Sequence, residues 1–141
     1  MSKKGPILII EDDKEDKEIL EDVLRDLGVK NSIVWLPDTE AAYEYLCEAD
    51  EAMFIIFCDI NLPGKNGLEL KQNIDDRPSL RKKSIPFIFY STSANQKDVN
   101  DAYSKMTIQG FFQKGHDYEE MKRVIKLILD YWTMCKHPNL M

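Results

Sequence analysis

Short apolar runs alternate with segments of helical period along the whole chain. Five runs rich in Ile, Val, Phe and Tyr are predicted strands, at residues 7–10, 32–36, 53–58, 87–90 and 110–112. The central runs are apolar almost without interruption, which indicates burial on both faces and therefore a parallel sheet. Because parallel strands need a crossover connection, usually a helix, the alternation leaves few topologies open.

The segments between the runs carry apolar residues at helical spacing. Helices are predicted at about residues 14–27, after Pro37-Asp38-Thr39, from about Asn66-Gly67 to Pro78, at about 95–105, and from Asp117 to near Pro138. Gly28 is a natural C-cap for the first helix, and Asp117 with Glu120 resembles a capping box at the start of the last.

This order predicts an α/β fold with a five-stranded parallel sheet of order 2-1-3-4-5, a flavodoxin-like three-layer αβα sandwich. A closed eight-stranded barrel would need ~250 residues and is excluded. We expect residues 1–141 to form a single domain with no output domain after it.

The amino-acid balance is that of a folded domain with an acidic surface. The chain has 25 acidic and 19 basic residues and a net charge of −6. Nucleic-acid binding by charge is not expected, because it needs basic groups that displace counterions from phosphates. The longest apolar run, at 52–58, covers seven residues, against the ~20 of a membrane helix, and the N-terminal apolar stretch is too short for a signal peptide. We expect a cytoplasmic protein that binds neither nucleic acid nor membranes.

The cysteines agree with a reducing compartment. Cys47, Cys58 and Cys135 are odd in number and form no CxxC pair, so all three are predicted to be small buried side chains. A zinc site and a catalytic thiol are not expected, because no partner side chain stands at a suitable spacing.

Carboxylates follow two of the predicted strands directly. Glu11-Asp12-Asp13 come after the first strand and Asp59 after the third, and these two strands border the switch point beyond which ligands bind in such a sheet. A hard divalent cation such as Mg²⁺ would relieve the repulsion among these acids. Helix capping stays open as an alternative for Asp12 and Asp13. The next acids are assigned to capping and solvation alone: Glu15, Asp16 and Glu18.

Two further strand ends carry polar groups. Ser91 follows the fourth predicted strand and Lys114 the fifth. Taken singly, the serine is a loop or cap residue and the lysine a solvated strand end. Together with acids at the same sheet edge, a hydroxyl and an ammonium suit a trianionic phosphoryl group.

Four stretches resemble the response-regulator receiver domain of two-component signalling, and the resemblance covers essentially the full chain. They are residues 7–13 (ILIIEDD), 59–70 (DINLPGKNGLEL), 85–91 (IPFIFYS) and 110–114 (GFFQK). The resemblance implies that Asp59 is the phosphoacceptor, that Lys114 pairs with the phosphoryl oxygens and that Ser91 hydrogen-bonds them after transfer. It also implies a switch formed by Ser91 and Phe111. The implied Mg²⁺ ligands are Asp12, Asp13, Asp59 and the backbone carbonyl of Asn61.

Within the family, the chain is similar to a single-domain group associated with bacterial phytochrome-type kinases. This similarity is carried by Asp76, Leu80-Arg81, Ile85-Pro86, Ser91-Thr92-Ser93, Asp98-Val99 and Tyr131-Trp132. The implied partners are a sensor histidine kinase or phosphotransfer protein, an unidentified downstream protein and, as in some members, a second copy docked through the exposed end of the last helix. The family tunes the lifetime of the aspartyl phosphate at the positions of Asn61 and Ser93.

Two positions depart from the family pattern. Gly115 follows Lys114 where the family usually has proline, often in a cis peptide, and Phe111 replaces the common tyrosine of the switch. Glycine tolerates many backbone geometries but does not favour a cis bond. Phenylalanine lacks the hydroxyl that a tyrosine would use for a hydrogen bond.

The leading hypothesis is a phosphorylation-controlled binding module and not an enzyme with a separate substrate. A receiver-like scaffold that is never phosphorylated is one alternative, which Gly115 keeps open. A phosphatase similar to haloacid dehalogenase is a weaker one, because Asn61 stands where those enzymes carry a second aspartate. The stretch from Asp59 fails as a calcium loop, since its last position is Leu70 and not Glu, and neither common nucleotide-binding glycine motif is present.

Overall fold

The five predicted strands form one parallel sheet. The structure, a computed structural model, describes residues 2–92 and 95–136 of the chain. The strands are β1 (Ile7–Ile10), β2 (Ile33–Leu36), β3 (Ile55–Cys58), β4 (Phe87–Ser91) and β5 (Gly110–Gln113). Their order in the sheet is β2-β1-β3-β4-β5, with every neighbouring pair parallel. The predicted flavodoxin-like fold is confirmed.

Helices connect the strands and cover both faces of the sheet. They are α1 (Lys14–Asp26), α2 (Thr39–Glu48), α3 (Gly67–Asp76), α4 (Pro78–Arg81), α5 (Gln96–Lys105) and α6 (Tyr118–Met134), with a 3-10 turn at Ser2–Lys4 before β1. In the described ranges, no helix combines the length and the apolar character that crossing a membrane requires.

Two helix boundaries differ from the prediction. The chain leaves helical geometry at Arg77, and Pro78 begins the one-turn helix α4 where it was expected only to stop the third helix. Proline suits the first turn because the N–H it lacks would have no partner there. Helix α6 ends at Met134, before the predicted end near Pro138, and Pro138 lies outside the described residues.

The caps of the first and last helices are built by local hydrogen bonds. Gly28 follows α1 with a φ of 81°, as its predicted cap role requires. Asp117 caps α6 by accepting from the N–H of Glu119 at 3.3 Å. Glu120 was expected to complete a capping box, but its carboxylate accepts from Arg123 at 3.1 Å.

Both faces of the sheet are buried, which explains why the central runs are apolar without alternation. Leu8 and Ile10 of β1 pack toward α2, α3 and α5, whereas Ile7 and Ile9 pack toward α1 and α6. Each fully buried aliphatic side chain contributes roughly 1.5–3 kcal/mol relative to exposure. Two hydrophobic cores therefore hold the sheet from opposite sides.

The prediction that all three cysteines are buried is wrong. Cys58 is buried at the end of β3, but Cys135 is half-buried and Cys47 is exposed, and all three thiols are free. Cys47 faces solvent from α2, where Nη1 of Arg77 donates to its Sγ at 3.1 Å.

Strand register brings the acids of two strand ends together. Ile10 of β1 is opposite Cys58 of β3, so the next residues, Glu11 and Asp59, follow paired positions. The N–H of Asp59 also donates to the carbonyl of Ile10 at 3.0 Å. The ladder between β1 and β3 therefore continues one residue past the strands and holds the backbone of Asp59.

A glycine lets α3 begin directly against this strand end. The N–H of Gly67 donates to the carbonyl of Ile60 at 2.8 Å, and a Cβ on Gly67 would lie 2.2 Å from the carbonyl oxygen of Asp59. No side chain fits at that distance. The segment after Asp59 thus depends on a glycine at the first position of α3.

We expect Gly67→Ala to destabilise the protein by about 1–3 kcal/mol, because the added methyl group must displace backbone atoms. Gly115→Ala is the matched control, since a Cβ there would meet only side-chain carbons of Glu120 and Met121 at 3.8 and 4.0 Å. Urea denaturation of the two variants and the wild type measures the difference. Equal free energies of unfolding for the two variants would contradict the close approach at Gly67.

Candidate functional site

Asp59 is a buried carboxylate held by donors from three parts of the chain. Its Oδ1 accepts from the Ser91 hydroxyl at 2.7 Å and from the N–H of Asn61 at 3.1 Å, and its Oδ2 accepts from Nζ of Lys114 at 3.2 Å. Only 6% of Asp59 is exposed. The structure therefore brings together the side chains of Asp59, Ser91 and Lys114, which the sequence predicted to form a phosphoryl site.

Lys114 joins the carboxylates of the site. It follows β5, and its N–H donates to the carbonyl of Ser91 at 2.8 Å. Its Nζ forms ion pairs with Glu11, with Asp59 and, at 3.4 Å, with Oδ2 of Asp16. Only 9% of Lys114 is exposed, so the ammonium is a buried counter-charge and not the solvated strand end of the alternative interpretation.

Glu11 is the acid of the first strand end that enters the cluster. It is 4% exposed and contacts the Lys114 ammonium. The metal ligands predicted from the sequence include Asp12 and Asp13 but not Glu11. A signal was present, because Glu11 comes directly after a buried strand in the same way as Asp59. A charge at such a position is costly unless it is paired.

Asp13 does not enter the cluster. It is exposed, and its Oδ1 accepts from the N–H groups of Glu15 and Asp16 at 2.9 and 3.1 Å, which makes it the N-cap of α1. Asp12 is also exposed. In the described ranges, no group of three or more His, Cys, Asp or Glu side chains is arranged to hold a metal ion. The assignment of Asp12, Asp13 and Asp59 as metal ligands stays a prediction, and the structure adds that Asp13 caps α1.

Asp16 is a further carboxylate that contacts Lys114. It was attributed to capping and solvation, but its carboxylate reaches Lys114. The two residues are 98 positions apart in the sequence, so no local pattern indicates this contact.

Burial and charge set the pKa values of the cluster. Burial, with the Asp59 carboxylate nearby, raises the pKa of Glu11 to about 7 against the opposing effect of Lys114. Burial acts in the same direction on Asp59, but the Ser91 hydrogen bond, the charge of Lys114 and the Asn61 N–H hold its pKa below the usual value. Burial opposes the charge of Lys114, yet its acidic neighbours raise its pKa. At neutral pH, Asp59 is thus ionised and held in one orientation.

The remaining predicted positions are Phe111, Gly115 and Ser93. Phe111 of β5 is half-buried, with its ring 5.6 Å from that of Phe89, and its N–H donates to the Tyr103 hydroxyl at 3.1 Å. The peptide bond between Lys114 and Gly115 is trans, as are all those described. Ser93 lies outside the described residues.

Comparison with known proteins identifies the family. Residues 7–126 match the family model of the response regulator receiver domain. The chain therefore belongs to this family of signalling modules, and the resemblance seen in the sequence is confirmed.

Its relatives include a phytochrome response regulator. Response regulator Rcp1 of Synechocystis sp. is 28% identical over 131 residues, which cover 89% of this chain and 87% of Rcp1. The structure of the phosphorylated cyanobacterial phytochrome response regulator RcpA has a TM-score of 0.81 and 26% identity, covering 92% of this chain and 94% of RcpA. The Mn²⁺-bound form of Rcp1 has a TM-score of 0.79 and 26% identity, covering 93% and 96%.

We expect the raised pKa of Glu11 to make stability depend on pH. Its carboxyl ionises near 4.5 when unfolded and near 7 when folded, so its contribution to stability is present below about 4.5 and is lost as pH rises through 7. Relative to Glu11→Gln, the wild type should lose on the order of 1–2 kcal/mol between pH 5 and 8, after allowance for solvent screening.

Urea denaturation in metal-free buffer at several pH values measures this dependence. The exposed neighbour Glu15 provides the control variant Glu15→Gln, which should keep the wild-type slope. Parallel stability curves for the wild type and Glu11→Gln would show that Glu11 ionises normally in the folded protein.

Proposed function

We propose that this receiver accepts a phosphoryl group on Asp59 from a sensor histidine kinase or a phosphotransfer protein, and signals through changed protein binding. The observation that carries the proposal is the fixed Asp59 carboxylate, with donors from Ser91, Asn61 and Lys114 on its two oxygens. Phosphoryl transfer requires positioning and charge neutralisation more than proton-transfer catalysis. These donors meet both requirements.

The reaction is a displacement at phosphorus. An oxygen of the Asp59 carboxylate forms a bond to phosphorus while the bond to the donor's leaving group breaks, and the leaving group keeps the bonding electron pair. Because the Lys114 ammonium and the Ser91 hydroxyl both contact the Asp59 carboxylate, they are proposed to contact the oxygens of the transferred group. The product is an aspartyl phosphate that carries about −1.5 to −2 charge next to Lys114.

The donor set fits Mg²⁺. Glu11 and Asp59 present hard carboxylate oxygens at one buried edge, and Mg²⁺ takes one or two protein carboxylates while it keeps several waters. In the proposed site these two acids hold the ion, with the exposed Asp12 and the backbone carbonyl of Asn61 as further ligands, and Asp13 is left as a helix cap. When bound, the ion neutralises charge on the phosphoryl oxygens. The Mn²⁺-bound structure of the relative Rcp1 supports a divalent ion here.

The output surface is proposed to be the face formed by α5, β5 and α6. Contacts to the new phosphoryl group favour one position of Ser91, which ends β4, and one position of Lys114, which follows β5. Phe111 is a residue of β5 that packs against Phe89 of β4, and it is the proposed switch residue. A few kcal/mol of differential contact is enough to shift a two-state equilibrium.

Incubation with Mg²⁺ and acetyl phosphate tests phosphorylation. We expect an acid-stable, base-labile phosphoryl adduct by mass spectrometry, which Asp59→Asn and chelation by EDTA abolish. Lys114→Gln should slow its formation by about a hundredfold, by analogy with the loss of one preorganised donor in an active site. Asp50→Asn, an exposed acid elsewhere, is the control and should react normally.

Three results would contradict this function. No adduct on the wild type would favour a scaffold that is never phosphorylated, and an adduct that survives Asp59→Asn would place the acceptor elsewhere. Turnover of unrelated phosphate esters would favour the phosphatase alternative.

We also propose that α6 forms a homodimer contact. Leu127, Tyr131 and Met134 are exposed at 58%, 65% and 86%, and their spacing places them along one stripe of the helix. Three large, exposed apolar side chains along one side of a helix are typical of an interaction site.

Light scattering measures the mass of this assembly. We expect a dimer at high protein concentration and a monomer for Tyr131→Lys, because the charge would be buried in the apolar contact. Tyr103→Lys, at an exposed tyrosine of α5, is the matched control and should stay dimeric. A monomeric wild type, phosphorylated or not, would rule out the contact.

A further inference from the structure

The Lys114 ammonium has one carboxylate neighbour that the proposed reaction does not use. Its ion-pair partners are Glu11, Asp59 and Asp16. In the proposed function, Asp59 receives the phosphoryl group and Glu11 holds the divalent ion. Of these three carboxylates, Asp16 is the one to which the proposed reaction gives no other part.

Local structure places Asp16 for this contact. It lies in the first turn of α1, and its N–H donates to the capping Oδ1 of Asp13 at 3.1 Å. Its side chain is 36% exposed, and its carboxylate has no other partner in the described part of the chain. The N-cap thus fixes the turn that presents Asp16 to the site.

An aromatic ring bounds the ammonium as well. Nζ of Lys114 lies 5.8 Å from the ring centroid of Tyr90, a distance at which a cation is attracted to the ring face. Tyr90 is 3% exposed and packs edge-on against Phe57 with the centroids 6.4 Å apart. Its hydroxyl has no hydrogen-bond partner among the described residues. A buried aromatic ring therefore borders the Lys114 ammonium.

Resting on the proposed function, we propose that Asp16 is a positioning residue that holds the Lys114 ammonium in the site when a divalent cation occupies Glu11. In the structure Glu11 pairs with Lys114, so a cation at Glu11 competes for the same carboxylate. Asp16 is the partner that Lys114 then retains. The ammonium stays beside Asp59 instead of being driven out by the cation.

This role predicts that Asp16 contributes to divalent-ion affinity without contacting the ion. We expect loss of the Asp16 charge to destabilise the Mg²⁺-bound state more than the metal-free state, because Lys114 has fewer other carboxylate partners when the ion is bound. We expect Asp16→Asn to raise the dissociation constant for Mg²⁺ about fivefold to tenfold, the size of coupling seen between neighbouring groups. Asp16→Glu keeps the charge on the same turn and should remain within about twofold of the wild type.

The measurement is a titration with Mg²⁺ alone, followed by calorimetry and by tryptophan fluorescence. Trp35 is a suitable reporter because its Nε1 donates to the carbonyl of Glu11 at 2.6 Å. No phosphodonor is present, so the result does not depend on whether Asp59 accepts a phosphoryl group. Unfolding midpoints in EDTA are recorded to confirm that every variant is folded.

Glu15→Gln is the matched control, because it removes one negative charge from the same helical turn. Its Mg²⁺ affinity should change by less than about twofold. In a Lys114→Gln background, Asp16→Asn should have no more effect than Glu15→Gln, since the residue on which Asp16 acts is gone. Equal shifts for Asp16→Asn and Glu15→Gln, an Asp16 effect that persists without Lys114, or a wild type that does not bind Mg²⁺ would each overturn the proposal.

Discussion

A buried ammonium between carboxylates holds the site together. Glu11 and Asp59 follow neighbouring strands and would repel each other without a counter-charge. Lys114 supplies it from the end of β5, with its charge buried almost as completely as theirs. A buried charge is tolerable only when it is paired, and removal of one partner leaves another uncompensated. The carboxyl ends of β1, β3 and β5 therefore depend on one another through this ion cluster.

Backbone hydrogen bonds, a glycine and a helix cap hold the cluster in place. Gly67 lets α3 begin against the carbonyl of Asp59, and the ladder between β1 and β3 continues to the backbone of Asp59. Asp13 caps α1 and thereby fixes the turn that carries Asp16. Asp16 thus has a defined position beside Lys114, although it takes no part in the proposed reaction. Among the acids that follow β1, Glu11 pairs with Lys114 and Asp13 caps α1.

The site residues could be predicted from the sequence only where a polar residue ends or directly follows a buried strand. Asp59 was found because it directly follows a buried strand, and Ser91 and Lys114 because they end neighbouring strands at the same sheet edge. The same rule applies to Glu11, but three acids in a row hid which of them faces inward. Asp16 could not be found, because its contact with Lys114 joins positions 98 residues apart.

The amino-acid sequence alone was enough for the alternation of strands and helices, the order of the sheet and the edge at which the polar side chains collect. Those features follow from hydrophobic period and from the rules for connecting parallel strands. The direction of each side chain was settled by the folded chain. Glu11 turns into the cluster, Asp13 turns back to its own helix, and Cys47 points to solvent. Such orientations depend on where the backbone turns after a strand and on distant partners, and neither leaves a periodic pattern in the sequence.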